Sequence, residues 1–114
     1  MHKRVEKYIP KALEAIVTAK INEGDTIDSQ YNGYIASFGA SIRQAGLLAT
    51  VLFYQDDNRA EKERHKIIDA IEHIIEEKLS AETPPTKETK MKVLDAATAL
   101  KLAIRTYAKS EKEA

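Results

Sequence analysis

The stretch from Tyr31 to Tyr54, YNGYIASFGASIRQAGLLATVLFY, restricts the possible folds more than any other part of the chain. At 100° per residue its first half carries one apolar stripe of Tyr31, Ile35, Phe38, Ile42, Ala45 and Ala49. Gly33, Ser37, Ala40 and Gln44 lie opposite, all small or polar. From Leu47 the stripe widens until Leu47, Leu48, Val51, Leu52 and Phe53 point in every direction, and a helix apolar on all sides has to be surrounded by protein. A run of this length can nominally cross a bilayer, but Asn32, Gln44 and above all Arg43 interrupt it. The periodicity therefore predicts a central buried helix over Tyr31–Tyr54 in a soluble bundle, with no membrane partner.

At 114 residues the chain is expected to form a single helical domain over 1–114 with its own core. Eighteen Lys and Arg balance eighteen Asp and Glu, which excludes a globally basic nucleic-acid binder but leaves local basic faces open. The absence of cysteine removes disulfide frameworks, thiolate zinc sites and cysteine nucleophiles together. The N-terminal MHKRVEKYIPKALEAI carries charges where a secretory signal would be apolar, so a cytoplasmic location is expected. With 32% charged residues, four Gly and three Pro, the chain reads as long helices with short joints. The expected class is all-α, an antiparallel bundle of about four main helices.

The first of these spans Val5 to Ile21 and places Val5, Tyr8, Ile9, Ala12, Leu13, Ile16 and Val17 on one face, with Lys3, Arg4, Lys7 and Lys11 opposite. Pro10 either opens this helix or kinks it, and the apolar phase running through it favours a kink. Asn22-Glu23-Gly24-Asp25 is expected to end it, and Thr26 to Ser29 to lead into the central helix. Asp57 or Asn58 is placed to cap a third helix, Arg59 to Leu79, whose buried face is Ile67, Ile68, Ile71, Ile74 and Ile75. Pro84 and Pro85 make residues 80–86 a mobile linker. A last helix runs from about Thr86 to Lys109 with Val93, Ala96, Ala97, Leu100, Ala103, Ile104 and Tyr107 inward, and residues 110–114 are expected to fray. The first and last segments are net basic and the middle of the chain net acidic, which points either to a charged partner or to mutual neutralisation within the fold.

Catalytic patterns are sparse. His65, Asp69 and His73 recur at i, i+4, i+8, a metal-ligand spacing, but the trio drifts about 40° per step and faces away from the isoleucines. No Glu-x-x-His partner helix exists to complete a di-metal bundle site, so no metal and no cofactor are expected. Ser37, Ser41 and Thr50 lie mid-helix without a nearby histidine, Glu76 and Glu77 point outward, and Gly33, Gly39 and Gly46 suit close helix approach instead of a phosphate loop. An enzyme is not expected. Two features exceed what a plain bundle needs. Lys101, Arg105 and Lys109 step i, i+4 along the last helix, and Arg43 is the only charge in the central one; such cations either track a phosphate backbone or serve as solubilising residues. Met91, Leu94 and Leu102 lie off the core stripe and are candidate subunit contacts, or belong to a broader core.

The stretch Phe38 to Tyr54 resembles the central helix of the small helical subunit of Cmr-type (type III-B) CRISPR effector complexes. Ile42, Gly46-Leu47 and Phe53-Tyr54 match its pattern, in which a polar interval separates an apolar pair from Gly-Leu and an apolar run ends in two aromatics. Ile104-Arg105-Thr106-Tyr107-Ala108 matches the ending of the family's last helix, although Ala103 stands where many members carry a large aromatic. The resemblance implies a non-catalytic subunit of an RNA-guided antiviral ribonucleoprotein. Several copies stack opposite the backbone subunits that hold the guide RNA, and together they line the path of the guide and target RNA. Its implied partners are those other effector subunits, copies of itself, and the guide and target RNA. Arg43 and Arg105 occupy matching positions and become candidate RNA contacts; Lys101 and Lys109 join them on spacing. A helical protein–protein adaptor without RNA contact is the alternative.

Overall fold

The computed structural model describes residues 2–56 and 62–110. Pro10 has no N–H to return to Glu6, and the first helical segment splits there: α1 is His2–Glu6 and α2 is Ile9–Thr18, with Pro10 in its first turn. The proline thus opens a new helix instead of kinking a continuous one. Helix α2 ends in a Schellman motif with Lys20, not glycine, in the left-handed conformation (φ 62°); Ile21 N–H donates to Ile16 O at 2.9 Å and Lys20 N–H to Val17 O at 3.1 Å.

The following turn residues build more than a stop. Strands β1 (Asn22–Glu23) and β2 (Thr26–Asp28) form a hairpin whose two-residue turn uses Gly24 at φ 60°. Helix α3 (Gln30–Ala45) follows, then α4 (Leu47–Gln55), a 3₁₀ turn at Lys62–Arg64, α5 (His65–Ile75) and α6 (Lys87–Ile104). Thr86 caps α6, its Oγ1 accepting from Thr89 N–H. The chain then turns into β3 (Ala108–Ser110), which lies parallel to β2 and accepts at Ser110 O from Ser29 N–H at 2.8 Å. The molecule is predominantly helical, with a small three-stranded sheet in the order β1-β2-β3.

The expected core faces are largely the observed ones. The five isoleucines of α5 and Val93, Ala96, Ala97, Leu100, Ala103 and Ile104 of α6 are buried. Helix α2 packs on both α5 and α6, and it buries Ala12 and Ala15 while α6 buries Ala96, Ala97, Ala99 and Ala103, small side chains that permit a close approach of helices. Phe38 and Tyr54 meet edge to face at 5.2 Å, and the Tyr54 hydroxyl donates to Tyr34 O at 2.7 Å, joining α3 to α4.

Several expectations change. The central helix is broken at Gly46 (φ 101°, ψ 164°), a conformation essentially reserved for glycine. Ser41 Oγ lies 2.6 Å from Thr50 Oγ1, which itself donates to Gly46 O at 2.9 Å, so the two hydroxyls clamp this elbow. Enclosure of residues 47–53 holds only for one face. Leu47 and Val51 are buried and Leu48 half-buried, whereas Ala49 is exposed, as are Leu52 (53%) and Phe53 (55%). In the same way Leu13 and Val17 (58%) of α2 face outward. Gly33 and Gly39 have no helix pressed on them; only Arg43 Nη1 comes within 4 Å of where a Gly39 side chain would begin. Helix α5 stops at Glu76, which adopts φ 60°, yet Leu79 beyond it is still buried. The expected caps Asp57 and Asn58 and the helix start at Arg59 lie outside the described residues, as do 111–114. Ser110 belongs to β3, so it does not fray.

Candidate nucleic-acid interface

Arg43 lies in the last turn of α3 and Lys101 in the last turn of α6, where each cation also complements the helix dipole. The two line a common cleft of about 80 Å³ between these helices. Ala36 and Ala97 contribute small side chains there and Gly39 bare backbone, with Ile35, Leu94 and Thr98 beside them. Thr98 Oγ1 is used inside α6, donating to Leu94 O at 3.1 Å. Arg105 follows one turn after Lys101 as the C-cap of α6 and is exposed. Lys109 leaves the helical series: it lies in β3, paired in register with Ile27, because α6 ends at Ile104. The i, i+4 ladder therefore holds from Lys101 to Arg105 and not to Lys109.

Among the described residues no carboxylate pairs with Arg43, Lys101, Arg105 or Lys109. Several carboxylates elsewhere are engaged. Arg4 reaches Asp95 at 2.8 Å, Lys11 reaches Glu76 at 3.1 Å, and Lys66 reaches Glu63 at 2.6 Å, while Lys92 pairs with Glu77. His73 Nε2 meets Glu14 Oε1 at 3.0 Å. Arg4 is thus neutralised against α6, Lys11 against the cap of α5 and Glu14 against α5 itself, so part of the segmental charge imbalance is internal. The bond to His73 and the nearby Lys11 charge hold the Glu14 carboxyl below its usual range. Glu63 is lowered chiefly by its bond to Lys66, with the Tyr31 hydroxyl also donating to it at 3.0 Å. Burial, and then that bond to Glu63, raise Tyr31.

His65, Asp69 and His73 line an open groove with Thr18, Lys20, Lys66 and Lys78. They do not converge. No group of three or more potential ligands is placed to hold a metal ion among the described residues. Ser41 and Thr50 are committed to the elbow, and Glu76 and Glu77 to ion pairs.

Of the expected subunit contacts, Met91 and Leu102 are exposed on α6, while Leu94 is half-buried at the cleft. Sequence reasoning missed Leu13, Val17, Leu52 and Phe53 as surface residues. For Leu52 and Phe53 the reason is the break at Gly46: it leaves α4 nine residues long, and so short a helix has one face to cover, however apolar its circumference. Arg64 stacks its guanidinium over the Phe53 ring at 4.1 Å, leaving the side chain still half exposed.

The family model described as CRISPR-associated protein (Cas_Cmr5) matches residues 4–114, and the chain belongs to that family of Cmr-type (type III-B) effector-complex subunits. No curated protein and no solved structure matches the chain. No helix among the described residues is long and apolar enough to cross a membrane.

Proposed function

We propose that this Cmr-complex subunit is a non-catalytic structural element that stacks in several copies and lines the path of guide and target RNA, working in the cytoplasm. The observation that carries the reading is that cations without a carboxylate partner gather where α3 and α6 end side by side. Arg4, Lys11, Lys66 and Lys92 are satisfied by carboxylates of the same chain. Arg43, Lys101, Arg105 and Lys109 are not, and three of them sit at the neighbouring ends of α3 and α6. Unpaired cations spaced along one edge neutralise successive phosphates without reading bases. Exposed Met91 and Leu102 on α6 then serve contacts with adjacent subunits.

The test is RNA affinity of the assembled complex carrying Arg43→Glu or Arg105→Glu, measured at several salt concentrations. Weaker binding with a shallower salt dependence is expected, and stability close to the parent, since Arg43 and Arg105 are exposed. Unchanged affinity in both variants would remove RNA contact from the reading. A protein–protein adaptor is the second reading, favoured by exposed Leu52 and Phe53 on α4. It predicts retained co-purification with partner subunits and no RNA footprint.

A further inference from the structure

We propose that Arg43 and Lys101 form one composite seat for a single internal phosphodiester, held open by Gly39, and not two independent cationic contacts. This rests on the RNA-path reading above and adds to it which cations act together. The two side chains come from different helices yet border the same small cleft. Its volume, about 80 Å³, exceeds several-fold the roughly 10–15 Å³ that one water requires, and suits a small oxyanion better than a nucleobase. Neither cation has a carboxylate among the described residues, so an anion entering the cleft displaces no internal partner.

Gly39 supplies the steric half of the argument. Its backbone is ordinary helix, so no turn requires glycine there, and no neighbouring helix presses on it. The nearest atom to a side chain added at that position is Arg43 Nη1, at 3.5 Å. The bare backbone thus lies directly beneath the Arg43 guanidinium, where a larger residue would occupy the space an oxyanion needs. Glycine lowers helix propensity at this site without any compensating contact inside the chain. Access for a group from outside accounts for it.

The experiment compares Arg43→Gln, Lys101→Gln, their double variant and Gly39→Leu in the assembled complex. Affinity for a 5′-hydroxyl target RNA is followed across a salt series, so that only internal phosphodiesters contribute. Gly39→Leu retains both charges and favours the helix, and a thermal melt at or above that of the parent verifies its fold. A single seat predicts that each variant weakens binding roughly tenfold and that the double variant weakens it no further. The salt slope then falls by about 0.7–0.9, one phosphate's worth, for each copy of the subunit on the RNA, in the double variant as in each charge variant. Additive losses from the two glutamines with a silent Gly39→Leu would overturn the seat while leaving the RNA-path reading in place. Full affinity in all four, together with a silent Arg105→Glu, would sink both.

Discussion

Replacing Gly46 by alanine tests the elbow between α3 and α4 most directly, because the same substitution at Gly33 has the opposite expected sign. Gly46 adopts φ 101° and ψ 164°, where a β-carbon costs on the order of 1–3 kcal/mol. Gly33 has ordinary helical backbone, no atom within 4 Å of an added β-carbon, and an exposed position. Alanine there should gain about 0.5–1 kcal/mol from reduced backbone freedom and better helix propensity. The two variants are thus expected to differ by about 1.5–4 kcal/mol. At roughly 4 °C per kcal/mol for a domain near this size, that is about 6–16 °C in melting temperature. Urea denaturation followed by circular dichroism at 222 nm gives the same comparison as a change in midpoint at constant m-value. If both alanines stabilise equally, α3 and α4 are one continuous helix and the elbow is wrong.

Within α4, Leu47→Ala should cost about 2–5 kcal/mol, whereas Leu52→Ala should stay within about 0.5 kcal/mol, because the first is buried and the second is half exposed; equal losses by chemical denaturation would refute the one-sided burial of this helix. The Glu63 carboxyl is held low by Lys66 and by Tyr31, so its contribution is fully present above its unfolded pKa of about 4.3 and is lost as pH falls through the lower folded value. The stability difference between the parent and Glu63→Gln should therefore be constant near neutrality and shrink in acid, and a gap that widened below pH ~4 would contradict the assignment.

Much of the fold was legible because long amphipathic helices leave a strong 3.6-residue signature. The isoleucines of α5 and the inward stripe of α6 were named correctly from spacing alone, as was a start of α6 near Thr86. What spacing does not encode is a corner. Hydrophobic phase continues unbroken from Ile42 through Val51, and a glycine is tolerated in a helix at a cost of about 1 kcal/mol, so nothing in the pattern marks Gly46 as the bend. The sheet escaped for a different reason. Strands of two and three residues are too short to show alternation, and β2 finds its parallel partner more than eighty residues away in sequence.

The candidate site was legible in its chemistry and not in its geometry. Sequence separates Arg43 from other cations because it interrupts an apolar helix, but Lys101 and Arg105 look no different from Lys11 or Lys92 on their own helices. The fold makes the difference by spending carboxylates on some and withholding them from others. Lys11 and Lys92 face Glu76 and Glu77, just beyond the last turn of α5, whereas Lys101 faces α3, whose sole ionisable groups are Arg43 and the two tyrosines Tyr31 and Tyr34. A chain of zero net charge can therefore present an unneutralised edge, because neutrality is a sum over the molecule while attraction at a surface is set within a Debye length of about 8–10 Å. Ionic neighbours, not composition, decide which lysine is available to a phosphate.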